Sequence, residues 1–165
     1  MLTQFSWGSP VGELLIASDG QHLVMCDWLY RRARQTLDTR VQGVYGAPTE
    51  GRDTVIDETI HQLEGYFGGQ RQSFDLPIKL TGTVFQQQVW QQLQRIPYGQ
   101  TFSYAQLASA LNRPEAVRAV ANANGANALS IVVPCHRVIA SDGSIAGYAG
   151  GVEAKKALLA LQQQA

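Results

Sequence analysis

The run Ile131-Val132-Val133-Pro134-Cys135-His136-Arg137-Val138-Ile139 constrains this chain more than any other stretch. Apolar β-branched residues lead into a proline, which fixes its own φ and biases the preceding residue towards extended backbone. The pattern predicts a buried strand that ends at Pro134 and presents a thiol and an imidazole at its mouth. The thiolate is the nucleophilic form of cysteine, and a neighbouring histidine is one of the few groups able to generate it at neutral pH. A structural cysteine beside an unrelated histidine fits the same run, because free cysteine is among the most buried side chains.

At 165 residues, 45% of them hydrophobic, the chain can bury one sizeable core or two small ones. No segment approaches the roughly 20 apolar residues of a bilayer span. Met1 to Ser9 lacks the basic region and apolar run of a secretory signal. Cys26 and Cys135 stand far apart in unrelated patterns, so two free thiols in a reducing, cytoplasmic setting are expected rather than a disulfide. Charge is zero overall but uneven. Residues 1–80 carry seven Lys/Arg against ten Asp/Glu, and residues 81–165 carry six against three. A DNA-binding C-terminal half is permitted by that balance, though not demanded by it.

Residues 2–29 have the alternation and turn residues of an antiparallel hairpin, with Gly8, Pro10 and Gly12 at one bend and Asp19-Gly20 at the next. His22 and Cys26 are too close together on one strand to converge on a metal, and no further ligand cluster is nearby. Arg31 to Gly51 is polar and predicts a strand fragment and a long connection. Thr54 to Phe67 carries Val55, Ile56, Ile60, Leu63 and Phe67 near helical spacing, stopped by Gly68-Gly69, with His61 on its surface.

A domain junction is expected around Ser73 to Gly82, dividing the chain into residues 1–78 and 79–165. Thr83 and Gln86 form a capping box before a helix with Phe85, Val89, Trp90 and Leu93 on one face, which stops at Pro97. Ser103 caps a second helix striped by Tyr104, Leu107, Ala108 and Leu111. Pro114 suits the first turn of a third, running to Asn124 with Arg118, Ala119, Ala121 and Ala123. Two short helices across a tight turn fit helix-turn-helix geometry. The second offers one arginine among alanines, which suits close, sequence-independent contact in a minor groove better than base readout. An ordinary core helix pair whose alanines simply pack fits too. Ser141-Asp142-Gly143-Ser144 predicts a hairpin turn, and Gly147-Tyr148-Ala149-Gly150-Gly151 a loop whose backbone can approach a ligand closely. A final helix is expected from Val152 to about Gln163. The fold class is therefore α+β in two small domains: an N-terminal antiparallel sheet with a helix, and a mostly helical helix-turn-helix domain carrying the reactive cysteine.

Thr83 to Leu161 resembles the 6-O-alkylguanine-DNA alkyltransferases (methylated-DNA–protein-cysteine methyltransferases) nearly without gaps. The resemblance rests on Phe85-Gln86-Gln87-Gln88-Val89-Trp90, Ile96-Pro97-Tyr98-Gly99, Ser103-Tyr104, Arg118-Ala119-Val120, Ala123-Asn124-Gly125, Asn127, Val133-Pro134-Cys135-His136-Arg137-Val138 and Gly147-Tyr148-Ala149-Gly150-Gly151. Pro-Cys-His-Arg-Val with Gly-Tyr-Ala-Gly-Gly at this separation is very specific. Ser9-Pro10-Val11-Gly12 is similar but less diagnostic.

The resemblance implies repair of double-stranded DNA carrying 6-O-alkylguanine, and 4-O-alkylthymine, by a monomer that contacts the minor groove with weak sequence preference. It implies that Arg118 replaces the damaged base in the stack, with Ala121 and Ala123 facing the groove. Tyr104 crowds the adjacent phosphate and donates to guanine N3, and the nucleotide rotates out into a pocket formed by Val138, Tyr148, Ala149 and Gly150. Backbone groups of Cys135, Val138 and Ala149 read the base edge. Cys135, deprotonated through His136 and a bridging water, attacks the alkyl carbon. Asn127 fastens the helices to the cysteine loop, and Arg137 fixes the local backbone. An S-alkyl cysteine has no carbonyl for water to attack, so the thiol reacts once and needs no metal or organic cofactor.

Four positions depart from the family's pattern: Ala121 for glycine, Ala128 for proline, Ala146 for a residue that is commonly threonine, and Gln162 for the glutamate that orients the histidine. Three other readings compete. A lesion sensor that flips the base without repairing it would normally lack the cysteine. A Cys-His hydrolase would need two adjacent residues, facing opposite ways on an extended strand, to meet. A sequence-specific regulator is disfavoured by the alanines.

Overall fold

The computed structural model describes residues 1–31, 34–145 and 147–163. Strands β1 (Leu2–Ser9), β2 (Gly12–Ser18) and β3 (Leu23–Trp28) form an antiparallel meander, registered from Thr3↔Ser18 to Ser9↔Gly12 and from Leu14↔Trp28. Gly20, at φ 95°, takes the left-handed conformation of the second bend. The two bends expected at Gly8–Gly12 and at Asp19-Gly20 are those of this meander.

Period-2 alternation, interrupted by a bulge at Val24 of β3, splits the sheet's side chains between two cores. Leu15, Ala17, Val24 and Met25 face one way and Leu14, Ile16, Leu23 and Cys26 the other. Between Arg31 and Gly51 the expected long connection holds a helix, α1 (Arg34–Tyr45), and a short strand, β4 (Pro48–Glu50). Strand β4 pairs in parallel with β1, giving the order β3-β2-β1-β4. The sheet is therefore mixed rather than wholly antiparallel. Helix α1 buries only Leu37 and Val41 and contains Gly43, so its stability comes from tertiary burial of one stripe rather than from propensity. Helix α2 (Thr54–Phe67) has the expected bounds. Asp53 caps it by accepting from Ile56 N, and Ile56, Ile60, Leu63 and Tyr66 pack on the opposite face of the sheet from α1.

In the second half, α3 (Val84–Leu93) and α4 (Tyr104–Ala110) begin with the Thr83/Gln86 and Ser103/Gln106 capping boxes. Helix α5 spans Val117–Gly125. Pro114 stands before it, in a turn entered through Asn112 at φ 59°, a conformation asparagine tolerates; the expected start at Pro114 was three residues early. Helix α6 runs Val152–Gln162. Ser141–Ser144 does form a turn, closed by Gly143 N to Ala140 O, but no hairpin flanks it.

The expected buried strand through Ile131 is replaced by a kinked path. Ala128 and Ser130 bond to Cys26 of β3, Val133 N turns back to Leu129 O, and Ile131 takes φ 72°. Pro134 then leads into one 3-10 turn, Cys135–Arg137, and strand β6 (Val138–Ile139). A β-branched residue at positive φ is strained by about 1–3 kcal/mol and persists only where its surroundings fix it. Ile131 is fully enclosed. One apolar core runs across both halves, joining Leu14, Ile16, Ile56 and Leu63 to Trp90, Leu107, Val120 and Val133. Among the described residues no helix is long and apolar enough to cross a membrane.

Candidate active site

Two short strands determine what stands beside the thiol. Strand β5 (Phe102–Ser103) pairs in parallel with β6, in the register Phe102↔Val138 and Ser103↔Ile139. Tyr104, the first residue of α4, is thereby tied to the backbone that leaves the Cys135–Arg137 turn. Burial and the nearby Cys135 push the Tyr104 phenol above its ordinary pKa, so its hydroxyl stays a donor.

Cys135 is 5% exposed and His136 is fully enclosed. Burial raises the thiol's pKa, the Asn127 amide opposes that rise, Asp27 adds to it, and the Lys155 ammonium lowers it again. The resting sulfur is therefore a neutral thiol. Asn127 Nδ2 donates to Val133 O (2.9 Å) and its Oδ1 accepts from Leu129 N (2.9 Å), which fastens the end of α5 to the loop before Cys135.

His136 Nε2 lies 3.2 Å from Gln162 Oε1, and Arg137 Nε donates to the same oxygen. Arginine can only donate, so the Gln162 atom between them is the carbonyl oxygen and His136 Nε2 must carry its proton. Nδ1 is then the bare nitrogen, and it is buried without a partner among the described residues. Burial first, then the adjacent Arg137 charge, push the His136 pKa down to about 3, against which the Gln162 bond acts only weakly. The imidazole is a neutral base with a fixed tautomer. No direct hydrogen bond joins it to the Cys135 sulfur among the described residues, which fits a water-bridged relay. Arg137 Nη1 donates to Ile96 O (2.8 Å) and the guanidinium lies over the Tyr98 ring.

Val138 is buried, its N–H bonded to Cys135 O and its carbonyl accepting from Lys155 Nζ (2.6 Å). Only the remaining lone pair of that carbonyl is free to meet a base. Lys155, fully enclosed, was not singled out from the sequence. A signal existed, since Lys155, Leu158 and Gln162 share one helical stripe of α6 and all are buried. Tyr148 and Gly150 rest on Trp28 of β3, Tyr148 edge-on with ring centroids 5.8 Å apart. Ala149 and Gly150 line a cavity of about 450 Å3 shared with Trp28 and Tyr30.

Arg118, Ala119, Asn122 and Gly125 form the exposed face of α5, with Ala121 half-buried at its margin. Ala123 is a correction. It is 3% exposed, and its carbonyl accepts from Trp90 Nε1 (2.8 Å), so it packs inward and cannot present its methyl to a groove. Helical periodicity puts it on the Val120 side; Asn122 takes the exposed place. Ala146 lies outside the described residues. Among those residues no three His, Cys, Asp or Glu side chains are grouped to hold a metal.

Two models of one protein family between them match most of this chain. The 6-O-methylguanine DNA methyltransferase ribonuclease-like domain matches residues 6–80, and the DNA binding domain of the same proteins matches residues 84–164. The constitutive methylated-DNA–protein-cysteine methyltransferase of Bacillus subtilis is 44% identical over 154 residues, covering 92% of this chain and 88% of its own length. The corresponding protein of Methanosarcina barkeri is 39% identical over 94% of this chain and 93% of its own. The crystal structure of the Mycobacterium tuberculosis O6-methylguanine methyltransferase superposes with a TM-score of 0.85 at 38% identity, over 99% of this chain and 94% of that one. A structure of the M. tuberculosis protein in complex with DNA gives 0.84 at 37% identity, over 99% and 92%.

The chain belongs to the 6-O-methylguanine DNA methyltransferase family. Its class is that of the DNA-repair methyltransferases whose acceptor is a protein cysteine.

Proposed function

We propose that this protein binds double-stranded DNA through α5 and transfers the alkyl group of 6-O-alkylguanine to its own Cys135, once per molecule. The observation that carries the proposal is the fixed tautomer of His136. With Nε2–H committed to Gln162, the unpaired Nδ1 is left to take the thiol proton through a water. The thiolate then attacks the alkyl carbon, the S–C bond forms as the C–O6 bond breaks, and the bond's electron pair leaves with the purine. The Tyr104 hydroxyl donates a hydrogen bond to the charge that develops, and the proton taken up by His136 is passed back through water so that neutral guanine results. The product thioether has no group that water can attack, so turnover stops. The same displacement chemistry extends to 4-O-alkylthymine.

Arg118, exposed at the second residue of α5, is the side chain proposed to fill the gap left by the extruded base. The pocket for that base is proposed between Val138, Tyr148, Ala149 and Gly150. Since Cys135 is nearly closed off at rest, the 147–151 loop must shift to admit the base. Contact is proposed in the minor groove with weak sequence preference, by a monomer whose residues 1–78 and 79–165 act as scaffold and acceptor domains. Arg118→Ala should weaken transfer from duplex far more than transfer from free alkylguanine. Equal losses on both substrates would exclude α5 as the inserted element.

A further inference from the structure

The C-terminal end of α5 is held from the other half of the molecule. Arg31 Nη2 donates to Gly125 O (2.7 Å) and Arg40 Nη2 to Ala126 O (2.7 Å), across 94 and 86 residues of sequence. These carbonyls belong to the end of the helix, where backbone acceptors lack partners and a positive charge is favoured. Neither arginine is free to swing. Arg31 Nη1 donates to both carboxylate oxygens of Asp27 at 3.0 Å, and the Arg40 guanidinium lies 5.3 Å from the Trp90 ring centroid. Trp90 in turn bonds Ala123 O in the same helix.

Asp27 is fully enclosed and also receives Arg34 Nη1 and the Ser130 hydroxyl (3.3 Å). Ser130 lies in the segment that leads to Cys135, and its N–H is bonded to Cys26 O beside Asp27. One buried carboxylate at the end of β3 therefore touches both the grip on α5 and the approach to the thiol.

We propose that Arg31 and Arg40 are positioning residues for transfer from DNA: through them the N-terminal half sets the helix carrying Arg118 at a fixed place relative to Cys135. The inference rests on α5 being the DNA-inserting helix. If Arg118 extrudes the base, the extruded base reaches the sulfur only when the helix and the cysteine loop are in register. A free alkylated base diffuses in and needs no such register.

The test uses the full chain, a duplex containing 6-O-methylguanine, and free 6-O-benzylguanine, with single-turnover rates for the wild type, Arg31→Met, Arg31→Lys, Arg40→Met, Arg118→Ala and Arg31→Met/Arg118→Ala. Misplacement remote from the chemistry should cost Arg31→Met roughly tenfold to a hundredfold on duplex and several-fold less on the free base, where only the loss of a cation that favours the thiolate is felt. Arg31→Lys, which keeps the charge but cannot bridge Asp27 and Gly125 together, should fall between wild type and Arg31→Met. In the Arg118→Ala background the added loss from Arg31→Met should shrink, because both act through one helix. The salt dependence of duplex affinity should be unchanged, whereas loss of a direct phosphate contact would lower its slope by about one.

Equal losses on duplex and free base, full additivity with Arg118→Ala, or a reduced salt slope would each overturn the proposal. Should Arg31→Met not fold, Arg40→Met and Arg31→Lys carry the same comparison. If Arg118→Ala itself loses equally on both substrates, the assignment of α5 has failed, and that result is separable from a failure of the grip alone.

Discussion

Gln162 Oε1 lies 3.2 Å from His136 Nε2, at the position where the resemblance to the family implies a carboxylate. The amide oxygen fixes the imidazole tautomer but supplies no charge to stabilise imidazolium. It also leaves the buried Arg137 with a neutral partner. A charge-assisted bond exceeds a neutral one by about 1 kcal/mol. Gln162→Glu is therefore expected to speed single-turnover transfer roughly tenfold. Stopped transfer assays on the same duplex check this, and an unchanged or slower rate would count against the relay.

The low pKa of His136 also makes the fold acid-sensitive. The folded pKa, about 3, lies below the ordinary value of 6.5. Stability from this group is thus fully present above about pH 6.5 and is lost as the unfolded chain takes up the proton between there and pH 3, by up to about 1.4 kcal/mol per pH unit. Urea melts at stepped pH should show that slope, and His136→Gln should flatten it. An unchanged slope in the variant would assign the acid sensitivity elsewhere.

Asn127→Ala removes both bonds that pin the cysteine loop. It leaves Leu129 N buried without a partner, while Val133 O keeps only the Cys135 N–H. The expected loss is roughly 1–3 kcal/mol by denaturant unfolding. Transfer from free alkylguanine should fall as well, since the amide also counters the raised thiol pKa.

Gly150 has no room for a side chain, because a Cβ there would sit 2.5 Å from the Trp28 indole. Gly150→Ala should displace the loop or the indole and cost about 1–3 kcal/mol. Adding Trp28→Leu should recover part of that loss, which a double-mutant cycle in thermal or urea unfolding would detect. Additive losses would mean the loop does not rest on Trp28 in solution.

What the sequence revealed follows the range over which each signal acts. The Thr83/Gln86 capping box, the Ser103 cap and the bounds of α2 depend on residues close to one another in the chain, and they were legible as written; the reciprocal bond from Gln106 was not. Helix α1 was missed because Leu37 and Val41 give it too thin a stripe, and its stability comes from the sheet it lies on. The strand expected at Ile131 was misjudged because β-branched composition does not reveal that β3 already holds Ala128 and Ser130. Ala123 was assigned to the groove by its smallness, although the helical period places it beside Val120. Cys135 and His136 were legible in the run through Pro134 itself, whereas Gln162 was found through the resemblance, and the helix α6 stripe brings it to the imidazole. Asp27, Arg31, Arg40 and Lys155 went unnoticed. Each has at least one partner distant in the chain (Ser130 for Asp27, Gly125 O for Arg31, Ala126 O for Arg40, Val138 O for Lys155), and composition alone marks such charged residues as surface.

The most direct measurement is intact mass and peptide mapping after incubation with a duplex carrying 6-O-methylguanine. The account predicts one added methyl group on the Cys135 peptide, loss of the lesion in equal amount, and no mass change in Cys135→Ala. An unmodified Cys135 with the lesion still in the DNA would contradict it.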